Sequence, residues 1–224
     1  MAFLASSADA RLDSRGGMIR PVWDELAPRL EGELVVLEPL RRDHLDALFE
    51  AARPLEIWEF WPFNPASDRR RFEEWLDNVL RAVAGGTEAR FATLDARTER
   101  PIGSTSFCTL RPEHRGLEIG WTWLTPSAWR SGANAETKFL QLRHAFSSLG
   151  CQRVEFETDE LNVRSRRALE ALPAQFEGVL RDLKLLPDGR RRSSAVYSIL
   201  AHEWPAVEER LRDRVRDAVH RRSL

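Results

Sequence analysis

The sequence predicts an α+β fold, a mixed and mostly antiparallel sheet of six or seven strands flanked by helices. Three observations predict it. Apolar residues keep helical spacing up to Ala84 and alternate after Arg90, where three strand-like runs follow one another across polar turns. A helix-spaced run over 135–149 then separates two strand runs, the pattern of a right-handed crossover between parallel strands. Further on, Pro187-Asp188-Gly189 sits between two more strand runs and marks a hairpin.

Taken in order, Glu33–Leu37 alternates and reads as the first strand. Leu45, Leu48, Phe49 and Ala52 make a helix over 43–53, with Asp43 as its N-cap. A second helix, Asp68–Ala84, carries Phe72, Trp75, Leu76, Val79 and Val83 on one stripe and stops at Gly85-Gly86. Arg90–Asp95, Pro101–Leu110 and Gly116–Leu124 are successive strands. The helix Ala135–Leu149 presents Phe139, Leu142, Phe146 and Leu149, and Gly150 ends it. Arg153–Thr158 is a strand, Asn162–Leu172 a helix, Phe176–Leu185 and Ser193–Leu200 a hairpin, and Trp204–Val219 a closing amphipathic helix.

A length of 224 residues suits one domain with a sizeable core. No run approaches the roughly 18 apolar residues of a membrane helix, so the reading is a soluble protein without membrane partners. Acidic and basic residues nearly cancel, at a formal charge of -1, which argues against a nucleic-acid binder. Lysine occurs only at Lys138 and Lys184. Cys108 and Cys151 make no disulfide framework or zinc spacing, and a reducing cytoplasm fits them. The five histidines show no ligand spacing, so no metal is assigned. Residues 1–17 lack the apolar run of a signal peptide and read as a disordered leader, with Met18 as an alternative start.

The most informative stretch is TWLTPSAWRSGANAETK, residues 122–138. A strand ends, a proline-containing loop follows, and a turn through Gly132 runs straight into a helix. Main-chain N–H groups from Ser131 to Ala135 are exposed there at the positive end of the helix dipole, which suits phosphate oxygens. Gly132 would let a pyrophosphate approach the backbone. The second stretch is DELNVRSRRALEALPAQFEGVLR, residues 159–181, with Asn162 and Ser165 three apart at a helix start. The same pair satisfies a plain N-cap rule.

In this order the two stretches resemble the GNAT superfamily of acyl-CoA N-acyltransferases, and more narrowly its ribosomal-protein N-terminal acetyltransferase branch. The resemblance runs from about Leu30 to Leu211. It is carried by LEIGWTWL, AWRSGANAE, NVRSRRALEAL, QFEGVLR, DGRRRSSAVYSIL and EWPAV. The superfamily's pyrophosphate motif has Arg or Gln first and Gly or Ala last. Here those positions are Trp129 and Asn134, and only Gly132 keeps its usual identity. Pro173 stands where the branch usually has Gly.

The resemblance implies a leader over 1–29 and a single acyl-CoA N-acyltransferase domain over 30–224, with acetyl-CoA as co-substrate. Pantetheine would pair with the backbone at Trp123, Leu124 and Thr125, where a free N–H would polarise the thioester carbonyl. The diphosphate would lie on Arg130, Ser131, Gly132, Ala133, Asn134 and Ala135, and Asn162 would bond the pantetheine arm. The acceptor would be a primary amine of a protein N-terminus or a small molecule. An amine of pKa ~10.4 is neutral only to about 0.1 % at pH 7.4, so a base is useful. Glu118 is the candidate base; it is read as lying opposite an apolar row of Leu117, Ile119, Trp121 and Trp123. Ser165 is the candidate proton donor to the thiolate, because the single tyrosine, Tyr197, is poorly placed in the last strand. Trp58, Phe60 and Trp61 follow the first helix, where the fold builds its acceptor pocket. Exposed tryptophans or strand edges would suit a homodimer. The competing reading is a non-catalytic module that binds coenzyme A or a partner protein.

Overall fold

A computed structural model describes Trp23 and residues 25–223. The leader expected over 1–29 lies, through residue 22 and at residue 24, outside them. The sheet has eight strands: β1 (Leu30–Glu31), β2 (Val35–Pro39), β3 (Ala89–Asp95), β4 (Pro101–Arg111), β5 (Gly116–Leu124), β6 (Arg153–Asp159), β7 (Gln175–Leu185) and β8 (Arg191–Leu200). Their spatial order is β1-β2-β3-β4-β5-β6-β8-β7. All neighbours are antiparallel except β5 and β6. The eighth strand is β1, whose two residues are too few to show an alternation.

Five helices cover the sheet: α1 (Leu45–Ala52), α2 (Arg69–Ala84), α3 (Ala133–Arg143), α4 (Val163–Glu170) and α5 (Trp204–Ser223). Helices α1 and α2 lie on one face, packing Leu48, Phe72, Trp75, Leu76 and Val79 on Val36, Ala92, Leu94 and Trp123. Helices α3 and α5 lie on the other, packing Leu140, Leu142, Leu211 and Val215 on Phe91, Phe107, Leu117, Ile119 and Val154. Because α3 is sandwiched between sheet and α5, nearly all of it is buried, including Glu136, Lys138 and Gln141.

Two helix starts differ from expectation. Asp43 is not the N-cap of α1. It falls inside a 3-10 turn, Arg42–His44, that precedes the helix, and Arg41 N–H donates to His44 Nδ1 at 3.1 Å. Helix α3 begins two residues early, at Ala133. Asp68 does cap α2, accepting Arg71 N–H at 2.9 Å.

The feature that positions the site is the junction of β5 and β6. The two pair only at Gly116–Arg153, Leu117–Val154 and Glu118–Glu155. Beyond that point β5 pairs with β4 alone and β6 with β8 alone, and the sheet opens. A bulge accompanies the opening. Ser104 faces Trp123 and Ser106 faces Gly120, so Trp121 and Thr122 together oppose the one residue Thr105. Trp121 takes the left-handed conformation there, φ 51, and such an inserted residue bends and twists its strand.

Candidate active site

The bulge overturns the face reading of β5. Up to Ile119 the odd residues point at α3, as Leu117 and Ile119 do. After the inserted residue the parity flips. Thr122 now points at α3, and its hydroxyl lies 2.7 Å from Thr105 Oγ1 and 2.7 Å from Lys138 Nζ. Trp121 and Trp123 therefore share the α1–α2 face with Glu118 instead of opposing it. Trp123 packs on Trp58 (5.5 Å between centroids) and Trp121 on Trp61 (5.4 Å).

Glu118 is the last residue of β5 that pairs with β6, at the apex of the opening. Its Oε2 accepts the Thr109 hydroxyl at 2.7 Å, and Thr109 reaches it from a second irregularity between β4 and β5, at φ 48. Burial holds the Glu118 carboxyl above the ordinary glutamate range; the Thr109 hydrogen bond opposes that shift, and the carboxylates of Glu157 and Glu155 reinforce it. Cys108, directly across from Glu118, is buried and its thiol is pushed up to about 12, which makes it packing and not a nucleophile.

Of the three residues expected beside the pantetheine, one turns its backbone to the gap. Thr125 N–H donates to Ile102 C=O at 2.8 Å. By the alternation of an antiparallel ladder, Trp123 then also faces β4, and Leu124 turns away from it. The Leu124 carbonyl accepts Trp129 Nε1–H at 2.8 Å, leaving its N–H toward the opening.

The turn into α3 is open as expected, with one exception. Ala133 N–H donates to Ser131 Oγ at 3.2 Å, and Ser131 Oγ–H donates to Ala128 C=O at 2.7 Å. The main-chain N–H groups of Arg130, Ser131, Gly132, Asn134 and Ala135 have no protein acceptor among the described residues. Arg130 and Gly132 are left-handed, at φ 61 and 95. Gly132 is required for a different reason from the one its place in the motif suggests. A Cβ there would overlap Ala218 Cβ of α5 and come within 2.8 Å of Leu34 Cδ1. Its missing side chain faces the core, letting α5 and Leu34, just before β2, close against the turn. Glu136, one turn on, accepts the N–H groups of Glu33 (2.9 Å), Leu34 (2.6 Å) and Val35 (2.7 Å) and so fastens the β1–β2 turn to α3.

Across the opening, Asn162 caps α4: its Oδ1 accepts Ser165 N–H at 3.0 Å. The Ser165 hydroxyl is half-buried and has no protein partner within hydrogen-bonding reach among the described residues. Tyr197 is fully buried; its OH accepts Arg166 Nε–H at 3.1 Å and lies 3.3 Å from Glu170 Oε1. Trp58 is pinned by its indole N–H to Ala52 C=O at 2.8 Å and packs edge-on against Trp61, while Phe60 is half-buried beside them.

Three side chains at the site escape the sequence reading. Arg164 stands 4.0 Å from the Trp129 ring, so the start of α4 leans across to the α3 turn. Arg90 is buried between Trp75 and Trp121. Lys138, in α3, is 6 % exposed and reaches only neutral acceptors: Thr122 Oγ1 (2.7 Å), Thr105 Oγ1 (3.3 Å) and Gln141 Oε1 (3.3 Å). Burial pulls its pKa down to about 7. Its signal in the sequence was rarity, one of two lysines in the chain. Among the described residues no group of three His, Cys, Asp or Glu side chains is placed to hold a metal, and no helix is long and apolar enough to cross a membrane.

A sheet that opens between two parallel strands, with an uncapped helix start at its rim, offers the kind of main-chain donors that suit phosphate oxygens. Residues 35–175 match the family described as the acetyltransferase (GNAT) domain, and the chain belongs to that family. It is an acetyl-CoA-dependent N-acetyltransferase. Among relatives, the uncharacterized N-acetyltransferase p20 of Bacillus licheniformis is 24 % identical over 77 % of this chain and 96 % of its own length. The crystal structure of a GCN5-related N-acetyltransferase from Brucella melitensis is 32 % identical, covering 83 % of this chain and 84 % of that one, with a TM-score of 0.78. Mycobacterium smegmatis RimJ in complex with CoA-disulfide shares the fold, with a TM-score of 0.68 at 19 % identity, over 82 % of this chain and 91 % of that one.

Proposed function

We propose that the chain acetylates a primary amine, of a protein N-terminus or a small molecule, by direct attack of the amine on the thioester of acetyl-CoA. The observation that carries this reading is the set of N–H groups of Arg130, Ser131, Gly132, Asn134 and Ala135, unpartnered among the described residues, beside a sheet that opens directly after Glu118. Those donors would hold the diphosphate, with the Leu124 N–H turned toward the pantetheine and Asn162 offering its amide nitrogen.

Glu118 is the base. A carboxyl raised by burial is a better proton acceptor than an ordinary glutamate. The amine nitrogen forms its bond to the thioester carbon and the C–S bond breaks. The amine proton passes to Glu118, directly or through one water, and the thiolate takes a proton from the Ser165 hydroxyl, which is replenished from solvent. Holding the two reactants in one groove supplies the larger share of the rate. Trp58, Phe60, Trp61 and Trp121 wall the acceptor side. The left-handed Trp121 is backbone strain at the point where the thioester would lie, and strain of this kind gathers at functional sites. A cytoplasmic location and a homodimer remain part of the proposal. The exposed Leu180, Leu183 and Leu185 on edge strand β7 support the second.

The test is thiol release from acetyl-CoA across a panel of primary amines. Wild type should turn over at least one, and Glu118→Gln should lower kcat/KM by about 10²–10⁴-fold. The wild-type rate should rise with pH through a midpoint above the ordinary glutamate range, because the base works only when ionised. No release with any amine, or full activity in Glu118→Gln, would remove this function.

A further inference from the structure

The α1–α2 face of the sheet carries, next to Glu118, a set of buried hydrogen-bond donors without acceptors. Arg90 is 3 % exposed. Its Nη2 pairs with Glu88 Oε2 at 3.0 Å, while Nε, with one N–H, and Nη1, with two, meet no partner among the described residues. Ser104 Oγ and Trp123 Nε1 on the same face are also unpartnered among those residues. The register puts these groups side by side: Arg90 lies opposite Ser106, Ser106 opposite Gly120, and Ser104 opposite Trp123. Gly120 keeps the row open, since a Cβ there would fall 2.9 Å from both Cys108 Sγ and Glu118 Oε1. Trp121, 42 % exposed, covers the guanidinium from the solvent side with its ring 5.9 Å away.

Buried guanidinium N–H groups left unpaired are costly, and each is a demand for an oxygen acceptor. Glu88 supplies the only carboxylate within reach of Arg90 among the described residues. Every other unpartnered atom of the patch, apart from the bivalent Ser104 hydroxyl, can only donate. A ligand matching this face must therefore bring oxygens, and its best complement to a guanidinium is a carboxylate.

We infer that Arg90 selects the acceptor: the amine acetylated by this enzyme carries a carboxylate, which Arg90 holds while Glu118 faces the amine. This rests on the reading that the chain acetylates amines. Strands β3 and β5 are two strand spacings apart, about 10 Å, and both side chains leave the same face. Glu118 lies two residues along β5 from the Gly120 that the register aligns with Arg90, about 7 Å, so with a hydrogen bond of about 3 Å at each end the ligand's amine and carboxylate are separated by roughly 4–6 Å. That span excludes a simple α-amino acid's own carboxylate and fits an ω-amino acid, or an acidic side chain on an N-terminal residue. Trp121 would swing aside or stack on the intervening chain.

The test compares 4-aminobutyrate, 5-aminopentanoate and 6-aminohexanoate with butylamine, pentylamine and hexylamine in the acetyl-CoA thiol-release assay. The wild-type ratio of kcat/KM, acid over plain amine, should be about 10–100 for the best length. It should fall toward 1 in Arg90→Gln and recover partly in Arg90→Lys, a change that damage to folding would not produce. Turnover of plain amines as fast as of the acids overturns the inference and leaves the proposed function standing. If no amine is turned over, calorimetric binding of 5-aminopentanoate to the coenzyme A-bound protein, lost in Arg90→Gln, upholds a carboxylate site at Arg90 but removes the function and, with it, the acceptor role of that site. Neither turnover nor binding overturns both.

Discussion

Two helices start beside the opening of the sheet, and they start differently. Helix α4 opens on Asn162, whose carbonyl oxygen takes the Ser165 N–H. Helix α3 opens on a left-handed Gly132, and only Ala133 N–H finds a side chain, the Ser131 hydroxyl. In the sequence the two look alike, short polar residues ahead of an apolar run. What separates them is a cap. Where a side chain satisfies the first turn, the helix start is finished; where none does, the dipole and its free donors face outward together. The proposed anion site would be made by leaving a conventional piece of helix chemistry out.

The comparison can be broken most forcibly at Gly132. Gly132→Ala must adopt φ 95 with a Cβ that meets Ala218 and Leu34. Left-handed strain of roughly 1–2 kcal/mol and overpacking of about 1–3 kcal/mol should lower stability by about 2–5 kcal/mol in urea unfolding. Acetyl-CoA affinity should weaken in calorimetry as the turn deforms. An alanine variant of wild-type stability would mean that the turn is not held by α5.

Helix α3 also carries a buried cation near its open start, and α4 has no counterpart. Lys138, near pKa 7 when folded and about 10.4 when unfolded, binds its proton less readily in the native state. The unfolded chain therefore holds more protons between about pH 7 and 10, so this group makes stability rise with pH there, by at most about 1.4 kcal/mol per pH unit. Below pH 7 both states are protonated and the slope from Lys138 vanishes. Chemical denaturation of Lys138→Met across that range should show the slope removed. An unchanged slope would place Lys138 near its ordinary pKa.

The smallest effects should come from Asn162. Asn162→Ala loses the cap and about 1 kcal/mol of stability. Asn162→Asp keeps an oxygen for Ser165 N–H but loses the amide donor, so its stability should stay near wild type while KM for acetyl-CoA rises. If KM is unmoved in Asn162→Asp, the residue is a cap and nothing more, and the two helix starts differ even more sharply.

Much of this architecture was legible in the residues. The helical stripe of α2, the alternation of β3 and β4, the crossover through α3 and the Pro187-Asp188-Gly189 hairpin all appear where periodicity put them. Periodicity failed at Trp121, because an inserted residue reverses which side chains share a face and a left-handed tryptophan announces itself by no residue type. Asp43 failed as a cap because a 3-10 turn consumed the position. At the site, main-chain features were readable, since Gly132 and the lack of a cap after it are local. Arg90 and Thr109 were not. Each matters through a neighbour on another strand, Trp121 two strands away or Glu118 on the next, and register is a property of the folded sheet.

The most direct measurement is amide resonance mapping of the labelled protein as coenzyme A is added. The N–H signals of Ser131, Gly132, Asn134 and Ala135 should move downfield, as donors gaining an anionic acceptor do, while Ser165 N–H, already bonded to Asn162, moves little. A response concentrated at 163–165, with 131–135 unchanged, would contradict the claim that the uncapped start of α3 holds the diphosphate.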